Sequence, residues 1–153
     1  MRLGNTRDHD ALGKLMFEAV RNGRSPYTEA QRAAWVPEPR SGAAWNERLA
    51  DQTIVLDERG GAIRGFMTLR DDGYIDFAYI HPDCRGEGLF RTLFVELRRI
   101  AVARGDERLW VHASLMAQPA FSAMGFAIIR RETVEIGDQA LDRFEMEMAL
   151  TGD

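Results

Sequence analysis

The residues best suited to chemistry in this chain lie together in Ile80-His81-Pro82-Asp83-Cys84-Arg85-Gly86-Glu87-Gly88-Leu89-Phe90-Arg91. A strand-like run ends at a proline, and a glycine-bearing loop opens directly into an amphipathic helix. The unpaired N–H groups and positive dipole end of such a helix form a ready anion site. Glycine lets the backbone approach a phosphate closely, and Arg85 and Arg91 can add charge. The loop is not a Walker loop, because the GxxxxGK[ST] spacing and its lysine are missing, and it is not GxGxxG. A plainer reading stays open at this point, in which Gly86 and Gly88 only make a tight strand-to-helix turn.

The surrounding sequence must hold that loop in place. Leu12, Leu15, Met16, Ala19 and Val20 share one helical face within residues 7–22, and Gly23 is a natural stop. Residues 23–42 are rich in Gly, Pro and Ser, interrupted by a possible short helix over Tyr27–Trp35. Val36-Pro37-Glu38-Pro39 then forces an extended turn. A further short helix is expected over 42–50. Thr53–Leu56, Ile63–Leu69 and Gly73–His81 read as three strands around glycine turns, a meander. Leu89, Leu93, Leu97 and Ile100 share a face of a helix from Gly88 to Gly105. Arg108–Ala113 reads as a buried strand, Met116–Ala123 as a short helix, and 126–135 with 141–150 as a hairpin through Gly137-Asp138. The order αα-βββ-α-β-α-ββ predicts one mixed α/β domain over residues 1–153, with a mostly antiparallel sheet flanked by helices.

Composition narrows the function. The chain has one cysteine, Cys84, which excludes an internal disulfide, and three histidines without metal-ligand spacing, so no metal is expected. Twenty basic against 24 acidic residues give a net charge of −4, which argues against nucleic acid as a partner. The 21 residues Leu109–Ile129 lack Asp, Glu, Lys and Arg, yet their polar residues and changing period read as strand, helix and strand. No membrane partner is expected, and the N-terminus lacks an apolar signal region, so a cytoplasmic location is the default.

The glycine loop resembles the acyl-CoA motif of the GNAT family of N-acetyltransferases, [Q/R]-x-x-G-x-[G/A] after a strand. Arg85 and Gly88 match its first and fourth positions, and Phe90 departs at the last, where a small residue is usual. Downstream, Ser114 to Phe126 resembles the family's N-x-x-A-x-x-x-Y-x-x-x-G-F. Ala117, Gly125 and Phe126 agree, while Ser114 replaces the Asn and Phe121 the Tyr. The order of elements also fits that fold along nearly the whole chain. The resemblance implies acetyl-CoA as co-substrate and a primary amine, of a small molecule or a peptide, as acceptor by direct attack. It implies that the strand 73–81 splays from the strand 108–113 and admits pantetheine. Cofactor contacts would then fall on Tyr79, Ile80, Arg85, Gly86, Glu87, Gly88, Leu89, Phe90, Arg91, Ser114 and Phe121. A homodimer is common among such proteins.

Acyl transfer to an amine also needs a base and, near the leaving thiolate, an acid. Phe121 stands where many relatives carry the acid, so that acid is absent, and the ring packs on pantetheine or in the core. Asp76, a carboxylate in the apolar run Tyr74–Tyr79, is the leading candidate base, against a structural Asp paired with arginine. His112, in the opposing strand, is a proton relay or a satisfied buried histidine. His81 and Cys84 read as structural. Tyr27, Gln31 and Trp35, at i, i+4 and i+8, would wall the acceptor pocket. The main alternative is a non-catalytic acyl-CoA-binding or sensing module; a phosphate binder unrelated to CoA is a third.

Overall fold

A computed structural model describes residues 1–150. The first strand, β1 (Arg2–Leu3), precedes three helices: α1 (His9–Arg21), α2 (Glu29–Trp35) and α3 (Gly42–Ala50). Strands β2 (Thr53–Arg59), β3 (Ala62–Leu69) and β4 (Tyr74–Ile80) follow, then α4 (Leu89–Arg104), β5 (Arg108–Ser114), α5 (Gln118–Met124), β6 (Ala127–Ile136) and β7 (Gln139–Ala149). The strands form one seven-stranded sheet in the order β1-β2-β3-β4-β5-β7-β6. Its pairs are antiparallel except β4–β5, which is parallel. The mixed, mostly antiparallel sheet of the sequence reading is therefore observed. Two details differ. Three helices rather than two precede the meander, and β1 is too short for any sequence period to reveal. The charge-free run from Leu109 folds as β5, α5 and the start of β6, and no described helix is long and apolar enough to cross a membrane.

Two apolar layers sandwich the sheet. On one face, Leu89, Leu93, Phe94, Leu97 and Ala101 of α4 pack on Val55, Met67, Leu69, Ile75, Val111 and Met146. On the other, Leu12, Leu15, Met16 and Ala19 of α1, with Trp45 and Leu49 of α3, cover Ile54, Leu56, Phe66 and Phe77. These are the stripes the helical and strand periods create.

The β4 strand carries the feature that opens a site. It pairs with β5 only at Tyr74↔Trp110 and Ile75↔Val111, and beyond these the strands part. Against β3 the register passes from Leu69↔Ile75 to Met67↔Ala78, so β4 holds one extra residue there. This bulge lets Asp76 and Phe77 turn to the same face, where Arg48 of α3 meets both. The displaced Phe77 N–H donates to the buried Thr68 hydroxyl at 3.0 Å, so the irregularity leaves that donor satisfied.

Candidate functional site

Two cavities flank the gap between β4 and β5. The larger, about 420 Å³, lies on the α4 side and is walled by Ala78, Ile80, Cys84, Phe90, Ala117 and Met124, among others, with Arg85, Gly86, Gly88, Leu89 and Arg91 at the loop. The smaller, about 150 Å³, lies toward α1 and α3 and includes Arg40, Arg48, Tyr74, Asp76, His112 and Arg143. Tyr27, Trp35, Tyr79 and Ser114 line both, so the cavities share a wall at the gap.

The glycine loop is a cradle rather than a packed turn. Gly86 and Gly88 both have φ of 80°, in the left-handed region, and a Cβ on either would meet nothing within 4 Å. The backbone conformation requires glycine, while the space beside it is open. Gly88 caps α4, its carbonyl accepting from the Thr92 N–H at 3.2 Å, so the amides of Leu89, Phe90 and Arg91 have no partner within the helix. The His81 N–H pairs with the Arg64 carbonyl. Alternation along the strand then turns the Ile80 and Ala78 N–H groups toward the gap. An apolar slot ending in free amides at a helix N-terminus fits an acyl-pantetheine with its pyrophosphate.

Other expected cofactor residues fall differently. Arg85 donates to the Ala19 carbonyl at 2.7 Å and reaches the Arg24 carbonyl at 3.4 Å, so its guanidinium ties the loop to the end of α1. Glu87 is outside the groove wall, its carboxylate 3.6 Å from Arg64. Phe121 is core: it is 1% exposed and meets Phe90 and Phe126 edge-on at 5.0 and 5.1 Å. Phe90 lines the groove with one side and packs on Phe121 with the other.

The expected acceptor wall needs correction. Thr28 caps α2 in a reciprocal capping box with Gln31, so the helix begins after Tyr27 and the three residues do not share a helical face. Gln31 is engaged by the Thr28 N–H and the Ala140 carbonyl. The Tyr27 phenol accepts from the Leu115 N–H at 2.8 Å and donates to the Asp142 carbonyl at 2.5 Å, clamping the β5–α5 loop to β7. Trp35 does reach the shared wall, 5.8 Å from Tyr27 and 6.3 Å from Tyr79 between ring centres.

Asp76 is also corrected. Its side chain is 2% exposed and receives Arg48 bidentately at 2.8 and 3.0 Å, Gln52 at 2.8 Å and Arg70 at 3.3 Å. Burial alone would raise its pKa, but the hydrogen bonds and charges of Arg48, Gln52 and Arg70 outweigh that and hold it below the ordinary carboxylate value. A carboxylate so held is a poor proton acceptor. His112 is held differently. Its Nδ1 lies 2.9 Å from the Tyr74 hydroxyl, and its Nε2 is 3.6 Å from Glu132 and 3.9 Å from Glu145. Burial, then the charge of Arg143, push its pKa below the usual histidine value, so the ring is neutral near pH 7. Burial also raises the Tyr74 phenol, which stays protonated. By resemblance, the position of Tyr74 is the one near which relatives place a glutamate base, and the sequence assigns no proton role to the tyrosine itself. Tyr74 pairs with Trp110, and His112 stands two residues further along β5 on the same face, a relation legible only once β4 and β5 are known to run parallel.

A splayed β4–β5 pair, a bulge, and a glycine loop capping the next helix define an acyl-CoA N-acyltransferase architecture. Residues 24–150 match the acetyltransferase (GNAT) domain family, and the chain belongs to that family of N-acetyltransferases. It is 28% identical over 129 residues to YafP, an uncharacterized N-acetyltransferase of Escherichia coli K12, covering 84% of this chain and 81% of that protein. It is similar to a GCN5-related N-acetyltransferase from Rhodopseudomonas palustris, with TM-score 0.89, 29% identity, and coverage of 97% and 94% of the two chains. The PaiA N-acetyltransferase of Thermoplasma acidophilum, solved in complex with coenzyme A, shares the fold at TM-score 0.71 and 16% identity over 98% and 100%.

Proposed function

We propose that this enzyme transfers the acetyl group of acetyl-CoA to a primary amine, with Tyr74 and His112 receiving the ammonium proton. The observation that carries the reading is the pair of cavities meeting at Tyr27, Trp35, Tyr79 and Ser114, with the Tyr74–His112 pair on the smaller side. Acetyl-CoA supplies an acyl group activated as a thioester. The amides of Leu89, Phe90 and Arg91 hold the pyrophosphate, and the Ala78 and Ile80 N–H groups face the pantetheine in the gap. Two cavities separated only by a shared wall let the N–C bond form as the C–S bond breaks, without an acyl-enzyme.

The proton route follows from the partners of the imidazole. Glu132 and Glu145 favour a proton on Nε2, which leaves Nδ1 to accept from the Tyr74 hydroxyl. Tyr74 takes the proton of the incoming ammonium as it passes its own to Nδ1. The imidazolium that results lies beside the same two carboxylates, which Arg143 and Arg130 also engage, so it returns its proton readily. Phe121 has no proton to give, so the sulfur leaves as thiolate and is protonated by solvent.

The test is thiol release from acetyl-CoA with a panel of amines, using wild type and His112→Gln. The variant should bind CoA normally and lose about 10²-fold or more in kcat/KM at pH 7, the range for loss of a general base. Its rate should climb with pH as more amine arrives deprotonated. An acidic limb identical to wild type removes His112 from the reaction, and absence of thiol release with every amine removes the acyltransfer reading itself.

A further inference from the structure

The smaller cavity holds three arginines, and two of them are already neutralised. Arg48 is bound to Asp76, and Arg143 donates to Glu132 at 2.7 Å. The remaining carboxylate of the cavity, Asp142, is taken by Arg131 at 2.7 Å and by the Thr133 hydroxyl. Arg40 is different. Among the described residues its half-buried guanidinium has no hydrogen-bond or ion-pair partner. Exposed arginines lose little without a partner, since water satisfies their five donors, but a half-buried one without a counter-ion carries a desolvation cost. Burial, with the nearby Arg48 charge, lowers its pKa, the mark of a cation lacking local compensation.

The chain nevertheless fixes Arg40 firmly. Its backbone carbonyl lies against Gly13 of α1, where any Cβ would collide with it. Val36 is fully buried, Arg21 holds the Val36 and Pro37 carbonyls at 3.2 Å, and Pro37 and Pro39 restrict the intervening backbone. The guanidinium carbon lies 5.8 Å from the ring centres of both Trp45 and Phe77. Two aromatic rings thus confine the fork on its apolar side, while its N–H donors have no partner among the described residues. A planar, confined, unpaired fork is suited to a planar two-oxygen anion.

We propose that the acceptor amine carries a carboxylate and that Arg40 binds it, in the same cavity that holds Tyr74 and His112. The proposal rests on the acetyl-transfer reading and narrows its substrate class to small amino acids. The reaction is unchanged: one ammonium proton passes through Tyr74 to His112, the amine N–C bond forms as the C–S bond breaks, the second proton of the nitrogen passes to solvent, and the thiolate leaves to be protonated there. The carboxylate takes no part beyond orientation. A cavity of about 150 Å³ has room for a molecule of that size.

The test uses acetyl-CoA thiol release with α-amino acids and β-alanine, each beside its carboxamide, and with 2-aminoethylphosphonate. Comparison is through KM, because acid and amide differ in amine basicity. Wild type should show KM about 10- to 100-fold lower for the carboxylate than for its amide, the range for a hydrogen-bonded charge pair. Arg40→Met should erase that preference by raising KM for the acid alone, and Arg40→Lys should restore part of it. The CoA affinity of both variants should match wild type, which also shows that they fold. Equal KM for acid and amide, an equal loss on both in Arg40→Met, or use of the phosphonate in preference to every carboxylate overturns the proposal. Turnover of neutral amines alone overturns it while leaving acetyl transfer standing. If no amine is turned over, calorimetric titration of the CoA-loaded protein with the same acids decides: binding lost in Arg40→Met supports the Arg40 site, and no binding to wild type overturns it.

Discussion

The two cavities beside β4 are built in different ways. The groove on the α4 side is made mainly of backbone: two glycines at positive φ, the free amides of one helix, and the N–H groups of a strand that has lost its neighbour. Its walls are apolar and its floor is the core under Phe90. The cavity on the α1 and α3 side is made of side chains, and of charged ones: Arg40, Arg48, Asp76, His112 and Arg143 arrive from five separate segments. A backbone-built site recognises what every reaction of the family shares. A site built of side chains can change its preference by single substitutions, without disturbing the sheet. The physical separation of the two means that each can be broken alone.

The strongest perturbation expected is Phe121→Ala. The ring is fully buried between Phe90 and Phe126, and its removal leaves a cavity costing about 3–5 kcal/mol. Chemical denaturation should show that loss, and Phe90, deprived of its support, should weaken CoA binding in whatever remains folded. A small stability change with normal CoA affinity would mean that the groove floor is not set by the core.

On the other side, Asp76→Asn should loosen the arginine cavity while sparing the groove. The loss should be about 1.5–3 kcal/mol, the range for hydrogen bonds to a charged group. It stays below the cost of breaking a fully buried pair, because Arg48 is 42% exposed and can turn to water. The pH dependence has a definite sign. The folded carboxyl lies below its ordinary value, so its stabilisation is present above about pH 4 and is lost as pH falls through the lower folded value. Melting temperature measured from pH 7 down to 3 should therefore fall more steeply in wild type than in the variant. If the variant instead abolishes the acidic limb of the rate profile, Asp76 and not His112 is the base.

Tyr27 belongs to both cavities, and Tyr27→Phe should affect both. The change strands the Leu115 N–H and removes the donor to the Asp142 carbonyl, at a cost of about 1–3 kcal/mol. KM for acetyl-CoA and for the acceptor should rise together. An effect confined to one of them would show that the shared wall is held elsewhere.

The difference in construction also decides what the sequence makes legible. The groove can be read in one stretch, because Gly86 and Gly88 are local requirements of a left-handed backbone and α4 announces itself by period. The smaller cavity cannot, because Arg40 and Arg48 meet Tyr74, His112 and Arg143 only through tertiary packing. Asp76 illustrates the gap. Its apolar run correctly marks it as unusual, but its partners Arg48 and Gln52 stand one turn apart at the end of α3, with nothing local to link them to β4. Tyr27 shows the opposite failure. Its spacing to Gln31 and Trp35 suggests a helical face, yet Thr28-x-x-Gln31 is itself a capping box and states that the helix starts only at Glu29.

The smallest effect, and the sharpest separation, comes from two alanines on one helix. Gly88 and Gly105 cap opposite ends of α4, at φ of 80° and 87°, and a Cβ on either meets nothing within 4 Å. Gly88→Ala and Gly105→Ala should therefore each cost about 1–2 kcal/mol, the strain of placing an L-residue in the left-handed region. For a chain of this size that is a fall in melting temperature of about 2–8 °C. The strain is matched, but the surroundings are not. At Gly88 the open space is the groove beside the amides of Leu89, Phe90 and Arg91, so the added methyl keeps a phosphate from approaching them. At Gly105 the open space borders no described cavity. Calorimetry should show CoA affinity several-fold weaker in Gly88→Ala and unchanged in Gly105→Ala, with acceptor KM unchanged in both. Equal CoA affinity in the two variants at equal stability would reduce Gly88 to the cap of a tight turn, and the pyrophosphate would have to be held by side chains, with Arg91 the first to examine.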